Sequence, residues 1–202
     1  MKKLHSPAEN TAAHKSQNQL RIHGRAARAG LNRFERAFAA EKIADNVIQS
    51  SWFQRSKHIG CYLSIDDEVD TWRIIARALR MKKRIFAPVI KKTDRLLFQE
   101  LDSESTLCRN HYGLYEPEDG EIIAAHELDV VITPLVSFDA SNHRVGMGGG
   151  YFDRTFAFLR HRRSLFHPKL VGVAFACQEV EKITPNPWDI RLFQVITEES
   201  AK

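Results

Sequence analysis

Cysteine is scarce. The chain has three, Cys61, Cys108 and Cys177, an odd number at wide spacing with no CxxC pair. That excludes a disulfide scaffold and speaks against a structural zinc site. Cys61 and Cys177 lie in apolar runs that read as strands, so reduced, buried thiols are expected. Apolar residues nowhere run on for the roughly 18 positions that a membrane span takes. No apolar stretch follows Lys2-Lys3, so no secretory leader is read, and Glu9, Glu35 and Glu41 count against a transit peptide. A cytoplasmic protein with no membrane partner is expected. There is no internal repeat, and no low-complexity linker splits the interior.

What is present is core material: 43% of the 202 residues are hydrophobic and 27% charged, enough for one substantial soluble domain. The net charge of +5 is unevenly placed. Residues 1–42 hold nine Lys/Arg against three Asp/Glu, and the remaining 160 hold 21 against 22. The basicity is therefore N-terminal, and no nucleic-acid-binding body is implied. One competing reading is a non-enzymatic, RNA-associated protein using Arg21, Arg25 and Arg28, which share one helical face. No aromatic interleaving and no RRM, KH or OB pattern accompanies them. Residues 1–18 are polar and aperiodic and read as a flexible tail; residues 19–202 read as a single domain, expected to be a monomer.

From Leu20 to Ser50 the spacing is helical, weakened at Gly24 and Gly30. Asn32 is placed to cap a second segment, with Phe34, Phe38, Ala39, Ile43 and Val47 along one face. Buried strands are expected over 58–64, 83–89, 128–134 and 169–176, another strand over 96–101 and a short last one over 194–197, with helices over 72–81 and 151–162. Strands that are apolar on both faces and alternate with helices imply an α/β fold: a mainly parallel, Rossmann-like sheet covered by helices on both sides. Ligands of such sheets bind beyond the carboxyl ends of the strands.

The densest signal is ITPLVSFD over 132–139, followed by RVGMGGGYFDR over 144–154. Gly146, Gly148, Gly149 and Gly150 let backbone N–H groups converge on one point, and the following helix aims its positive end there. This is a phosphate cradle, and Arg144 adds a permanent charge whose fork suits phosphate oxygens. There is no GxxxxGK[ST] and no dinucleotide-type GxGxxG. Asp153 falls in the first turn of the helix. It either compensates the dipole or, beside a phosphate, ligates Mg2+, which is usually held by one or two carboxylates plus substrate phosphates. Asp189, in Pro187-Trp188-Asp189, is a second candidate, with a plain turn as its alternative. A sugar-phosphate enzyme using the loop for a monophosphate also remains open; a requirement for ATP separates the two.

The stretch ITPLVSFD…RVGMGGGYFDRT resembles the signature of the 5-formyltetrahydrofolate cyclo-ligases. Tyr62-Leu63-Ser64…Asp67-Glu68-Val69-Asp70-Thr71, Gly113-Leu114-Tyr115-Glu116-Pro117, Val173-Ala174-Phe175…Gln178 and Pro187-Trp188-Asp189…Val195-Ile196-Thr197-Glu198 resemble further elements of that family in the same order. The resemblance spans roughly residues 18–199. It implies a single-domain α/β enzyme that converts 5-formyltetrahydrofolate to 5,10-methenyltetrahydrofolate, with ATP as co-substrate and Mg2+ as cofactor.

It further implies ATP contacts from Arg144, Val145, Gly146, Met147, Gly148, Gly149, Gly150, Tyr151 and Phe152, and from the Gln17–Arg21 stretch. Folate contacts are implied at Ile65, Glu68 and Asp70 and along Met147–Tyr151. The metal ligands are implied at Asp153 and Asp189, and the catalytic residues are Arg144, Tyr151 and Asp153. The chain departs from the family pattern at Gln17, where many relatives carry Lys, and at Gly149, where some do. It also departs at Phe152, the second tyrosine of the usual pair, and at Phe193, an Asp in some relatives. A family paralogue acting on a different substrate is a further alternative.

Overall fold

Five helices and eleven strands order the chain in the computed structural model, which describes residues 7–91, 93–161 and 168–200. The helices are α1 (Pro7–Gly30), α2 (Arg33–Gln49), α3 (Ser51–Arg55), α4 (Trp72–Arg80) and α5 (Tyr151–Thr155). The strands are β1 (His58–Cys61), β2 (Arg84–Ile90), β3 (Leu96–Leu101), β4 (Leu107–Arg109), β5 (Tyr115–Pro117), β6 (Ile122–Ile123), β7 (Val130–Thr133), β8 (Ser137–Phe138), β9 (Arg144–Val145), β10 (Lys169–Val173) and β11 (Gln194–Ile196). Seven strands form one sheet in the order β11-β10-β7-β1-β2-β3-β6. β11, β10, β7, β1 and β2 run parallel, and β3 is antiparallel to β2 and to β6. The parallel step from β1 to β2 is made through α4, whereas the short connection from Ile90 to Leu96 leaves room only for an antiparallel return.

Successive side chains on each strand feed two cores. Val130 and Ile132 of β7 join Ile59, Ile85 and Ala87 beneath α2, α3 and α4. Val131 joins Phe86, Phe98, Leu170 and Phe156 on the other face. Burial on both faces explains why these strands read as continuous apolar runs. Only the first face is covered by full helices. The second lies under α5, a 3₁₀ turn (Ala157–His161) and the irregular segments carrying Leu135, Ile190 and Leu192. The single helix expected over 151–162 is therefore split, and Arg162 lies outside the described residues. Phe156, Phe158 and Leu159 all pack on this core.

The Asn32 cap is present. Its Oδ1 accepts from Phe34 N (2.9 Å) and Glu35 N (3.0 Å), and Glu35 Oε2 accepts from Asn32 N (2.8 Å). Of the expected apolar face of α2, Ala39, Ile43 and Val47 are buried, together with Ala40 and Ala44, while Phe34 is 84% and Phe38 65% exposed. Cys61 is buried, but Cys177 is exposed, because β10 ends at Val173 and Cys177 falls in a following 3₁₀ turn (Ala176–Gln178).

Helix α1 begins at Pro7, so most of the stretch read as a tail is helical; residues 1–6 lie outside the described residues. It packs on β8, β9 and the 176–178 turn. Gly24, a weakness on propensity alone, is what permits this. A Cβ there would lie 2.3 Å from the Val136 carbonyl oxygen and from Ser137 Oγ, and the Ser137 hydroxyl donates to the Leu20 carbonyl at 2.9 Å. No helix among the described residues is long and apolar enough to cross a membrane.

Candidate functional site

At the carboxyl ends of β1, β2 and β7 lies a cavity of about 680 Å³, where ligands of open α/β sheets bind. The chain leaves β7 through Pro134 and turns through the β8–β9 hairpin. The hairpin is held by Asp139, whose Oδ1 accepts from Ser141 N (3.0 Å) and His143 N (2.9 Å) and whose Oδ2 accepts from Ile183 N (2.9 Å). Burial raises the Asp139 pKa, but these donors and the His143 ring outweigh it and hold the carboxyl below its usual range. The hairpin delivers Arg144 and then the glycine loop. Gly148 (φ +104°) and Gly150 (φ +66°) occupy the left-handed region that glycine accepts readily. Gly146 has open space where a Cβ would stand.

Arg144, read as a phosphate fork, is instead turned inward. Its side chain is 5% exposed. Nη2 donates to Asp153 Oδ1 at 2.9 Å and Nη1 to the Ile190 carbonyl at 2.5 Å. Asp153 Oδ1 also accepts from Ile190 N at 3.0 Å, so the pair ties the start of α5 to the loop after Asp189. Asp189 Oδ2 accepts from Asn186 N (2.7 Å), Asn186 Nδ2 (3.3 Å) and Gln17 Nε2 (3.1 Å). Both carboxylates line the same cavity.

Helix α1 supplies the cation beside the loop. Arg21 Nε donates to the Gly146 carbonyl at 2.8 Å and Nη1 to Asn18 Oδ1 at 2.6 Å. Burial pushes its pKa down while Asp189 acts against this; the guanidinium stays charged. Arg25 Nη2 reaches Met147 Sδ at 3.4 Å, and Arg28, buried, pairs with Asp67 at 2.7 Å. The basic stripe that suggested an RNA surface is thus applied to the protein's own loops.

Gln17, Arg21, Ile65, Glu68 and every residue from Arg144 to Asp153 line the cavity, as does Asp189. Burial raises the Glu68 pKa, against a hydrogen bond from Ile65 N and the charge of Arg28. Asp70 does not line it: its Oδ1 accepts from Trp72 N at 3.1 Å and its Oδ2 pairs with Arg73 at 3.2 Å, which makes it a support for the start of α4. The sequence reading gave no role to Leu63, Glu116, Tyr112, Asn186 or Arg160, which also line the cavity. Glu116 was visible as the carboxylate before Pro117 in a turn-rich stretch. Tyr112 carried no signal.

Fold and cavity together define an open α/β protein with a candidate ligand site beyond the strand ends, walled by a glycine loop, arginines and carboxylates. The model of the 5-formyltetrahydrofolate cyclo-ligase family matches residues 13–198, and the chain belongs to that family. The 5-formyltetrahydrofolate cyclo-ligase of Haemophilus influenzae is 31% identical over 182 residues, 88% of this chain and 95% of the relative. That of Escherichia coli K12 is 38% identical over 143 residues, 69% and 76% of the two chains. The solution structure of the Aquifex aeolicus 5,10-methenyltetrahydrofolate synthetase superposes with a TM-score of 0.78 at 27% identity, over 91% of this chain and 90% of that one.

Proposed function

We propose that this protein is an ATP- and Mg2+-dependent cyclo-ligase that closes 5-formyltetrahydrofolate to 5,10-methenyltetrahydrofolate, releasing ADP and phosphate, as a monomer in the cytoplasm. The observation that carries this reading is the convergence of the glycine loop, Arg21, Asp153 and Asp189 on one cavity.

A formamide carbon is a weak electrophile and its oxygen a poor leaving group. Transfer of the ATP γ-phosphoryl group to the formyl oxygen cures both faults. The bond to ADP breaks, and the N5 lone pair forms an iminium phosphate. N10 then attacks the carbon, the C–O bond breaks as phosphate leaves, N10 loses its proton and the methenyl bridge remains. Phosphoryl transfer asks mainly for positioning and charge stabilisation. Arg21 and the loop amides hold phosphate oxygens, and Arg144 acts by fixing Asp153. Tyr151 stands beside the formyl group, with Ile65 and Glu68 on the folate side.

The carboxylates fit a magnesium ion. Asp153 commits Oδ1 to Arg144 and Ile190, and Asp189 commits Oδ2 to Gln17 and Asn186, leaving Asp153 Oδ2 and Asp189 Oδ1 outside these bonds. No cluster of three or more ligating side chains occurs among the described residues, which suits an ion that takes its other positions from phosphates and water. When bound, Mg2+ would neutralise charge on the transferring group. Purified protein given ATP, Mg2+ and 5-formyltetrahydrofolate is expected to develop the near-ultraviolet absorbance of a methenyl folate. Chelation of the metal or omission of ATP is expected to abolish it, and turnover without ATP would refute the reading.

A further inference from the structure

The hairpin formed by β4 and β5 reaches over the cavity mouth. Its tip is built on Asn110, whose Oδ1 accepts from Tyr112 N (2.9 Å) and Leu114 N (3.1 Å) and whose Nδ2 donates to Glu116 Oε1 (2.8 Å). The same buried oxygen accepts from Ile90 N at 2.7 Å, so the tip is carried by the end of β2. Opposite stands Tyr151, the first residue of α5. The two phenolic hydroxyls lie 2.8 Å apart, and the rings meet edge-on at 72° with centroids 6.2 Å apart. On Tyr151, the Arg154 guanidinium lies 5.0 Å from the ring centroid, and Arg154 Nε donates to the Asp94 carbonyl at 2.9 Å. The Tyr151 side chain is therefore held at both its ring and its hydroxyl.

We propose that Tyr112 is a positioning residue: its hydroxyl orients the Tyr151 hydroxyl at the cavity mouth and joins the hairpin to the glycine loop. When Tyr112 donates, the Tyr151 O–H is free to donate into the cavity; with no partner it would rotate. The catalytic consequence rests on the function proposed above; the coupling of the two hydroxyls does not.

Tyr112→Phe keeps the ring and removes the hydroxyl. The chain has four tyrosines, so ring-labelled protein gives a carbon NMR spectrum at neutral pH in which Tyr151 is assigned from Tyr151→Phe. In Tyr112→Phe the resonance of the hydroxyl-bearing carbon of Tyr151 is expected to shift; an unchanged resonance overturns the coupling. In turnover, Tyr112→Phe is expected to lower kcat by about 3–10-fold with the KM for ATP unchanged. It is expected to add nothing in a Tyr151→Phe background. Additive losses, or an effect confined to the KM for ATP, overturn the positioning role. If the unsubstituted chain turns over no 5-formyltetrahydrofolate, the functional reading fails while the carbon spectrum still decides whether the hydroxyls are coupled.

Discussion

Asp153 divides its work between its two oxygens. One is bonded to a buried arginine and a backbone N–H, and the other stands outside those bonds in a residue that lines the cavity. Two substitutions therefore separate what one would confuse. Asp153→Asn keeps an oxygen for Arg144 and Ile190 and removes the charge; turnover is expected to be lost while the melting temperature stays within about 4 °C of the parent. Asp153→Ala strands the Arg144 guanidinium and is expected to cost about 2–4 kcal/mol in denaturant unfolding as well. An active Asp153→Asn enzyme would remove the metal role. The place of this residue beside the loop was legible because loop, arginine and carboxylate lie within ten positions. Arg144's inward turn was not, since its second partner, the Ile190 carbonyl, is 46 residues away. Gln17 shows the same limit more sharply: its partner Asp189 lies 172 positions on. Tyr112 and Asp70 show it too, because only the fold decides which of them reaches the cavity.

Among the elements, α1 was read least well. Its polar, glycine-interrupted sequence has little propensity signal, and what holds it is a series of side-chain contacts to β8, the glycine loop and Asp189. The two helix glycines consequently differ. Gly24→Ala gains helix propensity but drives a methyl to within 2.3 Å of the Val136 carbonyl oxygen. It is expected to destabilise by about 1–3 kcal/mol and, by lifting Arg21 from the loop, to raise the KM for ATP. Gly30→Ala meets nothing within 4 Å and is expected to stabilise by about 0.5–1 kcal/mol. Thermal unfolding of both variants checks the opposite signs. For α2, the cap was legible because it is local, and of the buried face Ala39, Ile43 and Val47 were read. The helix docks on these with Ala40 and Ala44 and leaves Phe34 and Phe38 outside, a choice made by close packing against α4 rather than by side-chain size. Six of the seven strands of the large sheet were read, with ends within three residues, because burial writes them as apolar runs; β6 and the paired β4, β5, β8 and β9, each two or three residues long, were not.

For the whole molecule, the buried titratable groups predict how stability depends on pH. Burial raises the Cys61 thiol and the Tyr62 phenol well above their usual values. A raised folded pKa contributes stability that is present below the unfolded value, about 8.5 for a thiol, and lost as pH rises. Stability is expected to fall between about pH 9 and 11, and Cys61→Ala, despite some loss of packing, is expected to show a shallower alkaline slope. Asp139 runs the other way. Its lowered carboxyl contributes stability above about pH 4, the unfolded value, that is lost as pH falls through the folded pKa. Urea midpoints measured across pH check both limbs. The bond between Gln17 and Asp189 has an implication for synthesis on the ribosome. The arginine-bearing helix emerges 172 positions ahead of the acidic turn against which it closes. A nascent chain can lay down its strands in order but holds an unfinished pocket until that turn has cleared the exit tunnel, so ligand-dependent stabilisation becomes available only once Asp189 has emerged.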